Sequence, residues 1–360
     1  MLRYKNLQIK NFRGFKELNL NNFSRVNLFV GKNAIGKTAI LEAIFIHGGV
    51  YNPELAFRVN LFRGIEAFKV DPLKSSETPW NSLFNEYKTD IPIEIISYND
   101  KEQRKTILKC LDIGKRIELV ERIRKTAFGG TVPSAESIQI LELESETLNG
   151  EKRTFYMIID QNGVRPFPVP PPPLFPSVFL GARRRSSTQE MAERFSELTM
   201  NGEFMNEIIN LLRIFEPRLR DIKLLVVGNV PILHADIGIK RLIPVYYLSD
   251  GLVKALDIGL SMFNVRNGVL LIDEVENGIH YSVLEDYWSY ISKLANIFNV
   301  QVFATTHSYE CLAAAHKAFS KNEKYDFKLY RLERKKDDIR VIEYSKDELE
   351  TSLEMGFEIR

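Results

Sequence analysis

The chain has 360 residues, of which 44% are hydrophobic and 27% charged, as in a soluble globular protein with one large or two smaller domains. A net charge of +2 gives no composition-wide indication of nucleic-acid binding, although a local basic patch remains open. The two cysteines form no CxxC pair, which argues against a zinc finger and favours a reducing compartment. Since the sequence shows neither a signal-peptide core nor an apolar run of about 20 residues, we expect a cytoplasmic protein that does not cross a membrane.

Three predicted strands come first in chain order. Residues 7–10 and 18–20 alternate between apolar and polar side chains, as half-buried strands do. The turn between them has the sequence NFRGF and carries Arg13, which is either a functional cation or a solvated turn residue. Residues 26–30 form an apolar run that predicts a buried strand.

The next stretch, GKNAIGKT at residues 31–38, fits the phosphate-binding pattern G-x-x-x-x-G-K-[ST] between a predicted strand and a predicted helix. Glycines let the backbone curl so that its N–H groups face phosphate oxygens, and the following helix start adds positive dipole. We expect Lys37 to reach the β- and γ-phosphates of ATP and Thr38 to bind Mg²⁺. The alternative is a glycine-rich structural turn. The other loop positions expected to contact nucleotide are Gly31, Asn33, Ala34, Ile35, Gly36 and Ala39.

The middle of the chain predicts mostly β structure. Residues 50–90 are poorly patterned and predict loop with short helices. Four β-rich segments separated by turn residues predict an antiparallel meander beside the strand that precedes the loop; they are 91–95, 104–111, 138–143 and 154–159. Four prolines at 170–173 favour a stiff polyproline II connector over a ligand for a proline-reading module.

A short strand at 177–180 precedes Arg183, Arg184 and Arg185, which either clamp a phosphate of nucleotide or DNA or begin a helix in solvent. Helices are predicted at 187–198 and 204–215, and a hairpin at 224–235 turns through a Gly-Asn pair. The stretch LSDGL at residues 248–252 then opens an apolar helix, and by itself Ser-Asp-Gly is also a common helix start.

Two predicted buried strands in the C-terminal part of the chain are each followed by polar residues. Residues 268–274, GVLLIDE, run without alternation and end in Asp273 and Glu274. The first acid can hold Mg²⁺ with Thr38 and the second can orient or deprotonate an attacking water, unless both simply end a strand. After a helix at 280–297, residues 300–306 form a strand that delivers His307, although isolated histidines are usually structural. A hairpin at 327–344 and a last helix with a Ser-x-x-Glu capping box complete the chain.

These motifs, in this order, resemble the RecF/SMC branch of ABC-type ATPases. LSDGL is similar to the signature loop, usually LSGG, with Asp250 replacing the first glycine, and LLIDE is similar to the Walker B motif with its catalytic glutamate. The resemblance implies an α/β fold: an ABC-type P-loop ATPase head with a mixed central sheet, the antiparallel meander and a helical subdomain that bears the signature. Since no heptad repeat is sustained, we expect no long coiled coil. Expected domains are 1–180, 181–265 and 266–360.

The resemblance also implies roles for individual residues. Arg13 would lie near the nucleotide phosphates, and His307 would be the switch histidine that senses the γ-phosphate. Ser249 and Gly251 of one subunit would complete the ATP site of another, so that a homodimer closes head to tail around ATP and opens after hydrolysis. Whether dimers build into larger oligomers is left open. No Q-loop glutamine is identified.

Three functions remain open from the sequence. The number of residues between Lys37 and Ser249 exceeds that in transporter-type ABC domains, which indicates an insertion. The chain as a whole resembles the ATPase half of OLD-family nucleases. Those proteins continue into a Toprim nuclease, but no acidic Toprim cluster follows His307, so any cutting activity is expected in a separate partner chain. The first function is an ATPase that controls a nuclease or toxin in anti-phage defence. The second is a RecF-like repair protein that binds double-stranded DNA, and the third is a nucleotide-locked scaffold with negligible turnover.

Overall fold

A computed structural model of the chain describes residues 2–64, 78–126, 138–147, 150–160, 163–183, 185–336 and 338–356. The strands are β1 Asn6–Phe12, β2 Phe15–Leu20, β3 Val26–Gly31, β4 Ile93–Tyr98, β5 Gln103–Cys110, β6 Gln139–Thr147, β7 Lys152–Asp160, β8 Gly163–Phe167, β9 Ser177–Leu180, β10 Asp221–Val227, β11 Val230–Asp236, β12 Ile243–Pro244, β13 Val269–Ile272, β14 Gln301–Thr305, β15 Phe327–Lys335 and β16 Asp338–Tyr344. The helices are α1 Lys37–Gly48, α2 Leu55–Phe62, α3 Ile113–Thr126, α4 Thr188–Asn201, α5 Met205–Leu212, α6 Asp250–Asn264, α7 Leu284–Ile297, α8 Tyr309–Ser320 and α9 Lys346–Glu354.

The central sheet has six strands in the order β16-β15-β3-β14-β13-β9. All neighbours are parallel except β16, which pairs antiparallel with β15. Strands β3, β13 and β14 are buried along their whole length, as their largely apolar sequences predict. Because these three parallel strands are adjacent, the residues that follow them meet at one edge of the sheet, where ligands of open α/β sheets bind.

The meander forms a separate antiparallel sheet in the order β2-β1-β4-β5-β6-β7-β8. The expectation that it lies beside the loop strand is therefore wrong, because the neighbours of β3 are β14 and β15 while β4 pairs with β1. Helix α1 packs between this sheet and the central one: Ile40 and Ile44 share a core with Ile95 of β4 and Phe303 of β14. The meander thus supports the helix that follows the glycine loop.

The opposite face of the central sheet carries α4 to α8 and a small sheet of β10, β11 and β12. Phe263 of α6 and Trp288 of α7 belong to one core with Leu270 of β13. The signature helix and the acid-bearing strand therefore share a hydrophobic core, and the proposed boundaries at 180 and 265 stay predictions.

Most predicted elements are present within a few residues of their expected bounds. The capping box of α9 is confirmed: Ser345 accepts from the backbone of Glu348, whose side chain accepts in return from Ser345. Helices α3 and α8 had not been expected from the sequence. The tetraproline segment lies outside regular secondary structure, with Pro171 exposed, as a connector would be. None of the described helices combines the length and apolar character that a membrane span requires.

Candidate functional site

The loop between β3 and α1 curls through two glycines in the left-handed region. Gly31 has φ 141° and Gly36 has φ 110°. A Cβ atom at Gly31 would lie 2.6 Å from the carbonyl oxygen of Leu332, and one at Gly36 would lie 2.6 Å from the ring of Phe15. Both backbone conformation and space therefore exclude larger side chains at these positions. The result is a cradle of the kind that phosphate groups occupy.

The other loop residues divide by exposure. Asn33 and Ala34 are exposed, whereas Ile35 and Ala39 are buried. The ammonium of Lys37 donates to two carbonyls of its own loop, those of Gly31 at 2.6 Å and Lys32 at 3.2 Å. Burial lowers the pKa of Lys37, while three nearby carboxylates oppose that shift. A phosphate oxygen would be a stronger acceptor for this ammonium than either carbonyl.

The acid at the end of β13 touches the helix that follows the loop. The Thr38 hydroxyl lies 3.1 Å from each carboxylate oxygen of Asp273, and the Thr305 hydroxyl donates to Asp273 Oδ1 at 2.6 Å. Burial raises the pKa of Asp273, although hydrogen bonds from the two threonines lower it. A buried carboxylate beside a hydroxyl is a donor set that suits Mg²⁺, so these residues fit the predicted metal.

The second acid, Glu274, has φ 48°, an uncommon conformation for a residue other than glycine. Its N–H donates to Thr305 Oγ1 at 2.8 Å, its carbonyl accepts from Lys254 Nζ at 3.0 Å, and its carboxylate accepts from Asn277 Nδ2 at 2.5 Å. Sequence reasoning missed these three partners. Of the three, only Thr305 could have been identified from the sequence, because it lies two residues before His307.

His307 follows β14 and contacts the loop after Glu274. Its N–H donates to Glu276 Oε1 at 3.1 Å, and its Nδ1 lies 3.5 Å from the same oxygen. The His307 side chain is 50% exposed, so the ring is accessible at the edge where the strands end. The structure therefore brings the loop, both acids and the histidine together within one chain.

The signature residues are placed differently. Ser249 is exposed and caps α6, accepting from the N–H of Leu252 at 3.2 Å. Gly251 is buried, and a Cβ there would lie 2.9 Å from the carbonyl oxygen of Gly278 in the same chain. Asp250, which replaces the usual glycine, pairs with Arg185 at 3.1 Å, and this hydrogen bond lowers the pKa of Asp250.

Arg185 is therefore a member of the arginine triplet that contacts the signature loop. Arg184 lies outside the described residues, and Arg183 is exposed.

Arg13 has a structural role in the chain. Its three guanidinium nitrogens donate to Glu42 of α1, to Ser82 and to Asn60 of α2. Glu42 is fully buried and also pairs with Arg63 at 2.6 Å. Since every nitrogen of Arg13 already has a protein acceptor, the residue ties these segments together, and its predicted phosphate contact stays a prediction.

A glycine cradle before a helix, with its threonine against the acid of a buried neighbouring strand, defines a P-loop ATPase site of the ABC type. The chain belongs to the family described as "AAA domain, putative AbiEii toxin, Type IV TA system", whose model matches residues 26–313.

Relatives agree with this class. The chain is 25% identical over 366 residues to an "ATP/GTP phosphatase" of Helicobacter pylori, with 93% of each chain covered. It is 34% identical over 101 residues to the "DNA replication and repair protein RecF" of Clostridioides difficile, a match that covers 28% of this chain and 25% of RecF. Among solved structures, an SMC head bound to the C-winged helix domain of ScpA shares the fold, with a TM-score of 0.50, 12% identity, and coverage of 98% of this chain and 99% of that one. The predicted ATPase class and α/β fold are confirmed.

Proposed function

We propose that the protein binds ATP with Mg²⁺ and hydrolyses it, with Glu274 as the base that activates water. The observation that carries this proposal is the 3.1 Å contact between Thr38 and Asp273, which joins the glycine loop and the acid-bearing strand into one site. The name of the Helicobacter relative, an ATP/GTP phosphatase, supports the same reaction.

Each residue of this site has a role in the proposed reaction. Lys37 exchanges its two loop carbonyls for phosphate oxygens, and the loop N–H groups and the start of α1 bind the remaining negative charge. Thr38 and Asp273 would hold Mg²⁺, which when bound neutralises charge on the phosphates. Glu274 takes the proton of the attacking water, with its carboxylate oriented by Asn277.

The signature end of α6 serves a second copy of the chain in this proposal. An exposed serine hydroxyl at the start of a 15-residue helix offers a donor and the positive end of a helix dipole, which together suit an anionic triphosphate. Ser249 and the backbone of Gly251 then complete the partner's site in a head-to-tail homodimer. Asp250 would bring negative charge there, and its pairing with Arg185 compensates that charge.

The ATP-driven closing and opening of this dimer would control a separate effector, a nuclease or a toxin, in anti-phage defence. The family description, which names a toxin and a type IV toxin–antitoxin system, supports this reading. A RecF-like role on double-stranded DNA is the second candidate, favoured by the match to RecF.

The test is steady-state ATP turnover with Mg²⁺ for the wild type and Glu274→Gln, with oligomeric mass measured by light scattering. Loss of the base is expected to lower turnover by about 10²- to 10⁴-fold and to leave ATP bound in a persistent dimer. Glu323→Gln, at an exposed site, is the matched control and should behave like the wild type.

A different experimental result would contradict each of these proposals. Wild-type turnover in Glu274→Gln would refute the base assignment, and a wild type without Mg²⁺-dependent turnover would refute the proposed function. Stimulation by duplex DNA with no co-purifying protein would favour the RecF-like role, and a co-purifying nuclease or toxin would favour the effector.

A further inference from the structure

The loop at residues 274–278 carries the second acid and contacts the first turns of α6 at both of its ends. At one end, Lys254 Nζ donates to the carbonyl oxygen of Glu274 at 3.0 Å. At the other end, Gly251 packs so closely on Gly278 that a Cβ at Gly251 would lie 2.9 Å from the Gly278 carbonyl oxygen. A Cβ at Gly278 would in turn lie 3.3 Å from Cβ of Asp250. The helix that begins at the exposed signature serine is thus in direct contact with the catalytic loop of its own chain.

Lys254 is also part of the charge balance of the site. Burial lowers the pKa of its ammonium, and the nearby carboxylates of Glu276, Asp257, Asp273 and Glu274 partly oppose that shift. Lys37 of the glycine loop faces three of the same carboxylates. The carboxylates at this edge of the sheet therefore lie near lysines from two elements, Lys37 of the glycine loop and Lys254 of the signature helix.

The backbone of Glu274 depends on such contacts. A left-handed φ at a glutamate is strained and persists where the surroundings hold the peptide in place. Here Thr305 accepts from the Glu274 N–H, while Lys254 and the N–H of Asn277, the latter at 3.1 Å, donate to the Glu274 carbonyl. Lys254 is the one of these three that belongs to α6, so its hydrogen bond ties the orientation of Glu274 to the signature helix.

We propose that Lys254 is a positioning residue that fixes the Glu274 peptide and couples the signature end of α6 to the catalytic carboxylate. The inference rests on the proposed function, in which Glu274 activates water and Ser249 meets the partner's triphosphate. When α6 moves as it binds that triphosphate, Lys254 moves the Glu274 carbonyl with it. Hydrolysis is thereby coupled to closure of the dimer.

The experiment compares Lys254→Met, which keeps the apolar stem but removes the donor, with Lys254→Arg, which retains a donor. For Lys254→Met we expect kcat to fall by at least about tenfold, with KM for ATP and ATP-induced dimerisation within about twofold of the wild type. Lys254→Arg should recover part of the lost kcat. Lys293→Met, an exposed lysine of α7, is the matched control and should match the wild type.

A double variant separates positioning from a general loss of structure. In the Glu274→Gln background, Lys254→Met should cause no further fall in kcat, because both changes act through the same carboxylate. Wild-type kcat in Lys254→Met, an equal loss in both backgrounds, or a loss confined to KM would overturn the inference. If Lys254→Met melts below the assay temperature, Lys254→Leu, which also lacks a donor, is judged by the same criteria. No turnover in the wild type would overturn the proposed function and this inference together, whereas the other outcomes overturn this inference alone.

Discussion

The two halves of the proposed ATP site differ in how complete they are within one chain. The catalytic half is closed: Thr38 contacts Asp273, and Glu274 is held through both its N–H and its carbonyl. The signature half is open. Ser249 is exposed at a helix start, and its neighbour Asp250 pairs with Arg185, whose side chain is 61% exposed. The difference supports the proposal that one molecule assembles the catalytic groups and that a second copy supplies the remaining wall.

The physical origin of this contrast lies in the elements that carry each half. The catalytic residues follow buried parallel strands, whose alignment is fixed by the hydrophobic core on both faces of the sheet. The signature serine is the N-cap of α6, a helix whose body is buried but whose N-cap and first residue, Asp250, are exposed. A rigid helix with an exposed N-terminus is suited to binding an external anion.

The largest expected effect tests the open half. Ser249→Arg places a long side chain where the partner's triphosphate would bind, and we expect turnover to fall by at least about 100-fold while ATP binding by the monomer changes little. Fluorescent-nucleotide titration and turnover assays measure the two effects separately. Ser345→Arg makes the same change at the N-cap of α9 and should cost stability without lowering turnover. Equal loss of binding and turnover in Ser249→Arg would mean that Ser249 serves its own subunit or the fold.

A smaller effect tests the closed half. Gly36→Ala forces a Cβ to within 2.6 Å of the Phe15 ring at φ 110°, and we expect ATP binding to weaken by about 10- to 100-fold as the loop opens. Gly163→Ala is a control with nearly the same backbone angle, φ 111°, but with no neighbouring atoms within 4 Å. It should lose stability without weakening ATP binding. If both variants bind ATP like the wild type, the loop does not hold the phosphates.

The smallest effect concerns stability. Because burial raises the pKa of Asp273 in the folded chain, the folded state binds more protons than the unfolded state between the two pKa values, and stability falls as pH rises through that window. We therefore expect Asp273→Asn to raise the free energy of unfolding at pH 8 by roughly 1 kcal/mol, while Mg²⁺-dependent turnover is lost.

Urea unfolding without nucleotide or metal measures this gain. The gain should disappear below about pH 4, where the carboxyl group is protonated in the unfolded chain as well. A variant less stable than the wild type at pH 8 would contradict the argument.

Local patterns in the sequence predicted most elements of the fold, but not how distant strands pair. Alternation identified β1 and a β-rich composition identified β4, yet their register, with Leu7 opposite Ser97, depends on packing around α1 that these patterns do not reveal. Helix α3 was missed although it carries apolar residues at helical spacing, among them Ile113 and Ile117, which the structure leaves exposed.

The site was predictable where motif residues follow adjacent strands. The proximity of Thr38 and Asp273 was expected, and the structure contains it. The partners of Glu274 were not predictable in the same way, because Lys254 and Thr305 reach it through tertiary contacts and not through a fixed spacing. Arg13 is the opposite case: it is a conspicuous motif residue, but each of its three guanidinium nitrogens donates to an acceptor in its own chain.

The most direct test of the shared site mixes two inactive variants, Lys37→Ala and Ser249→Arg. In a head-to-tail heterodimer, the intact glycine loop of one chain meets the intact signature of the other, so an equal mixture should recover about a quarter of wild-type turnover if sites act independently. Mixing Lys37→Ala with Glu274→Gln, two changes in the same half, should recover none. Recovery in the first mixture only is the predicted result, and no recovery in either, with heterodimers present, would contradict the shared site.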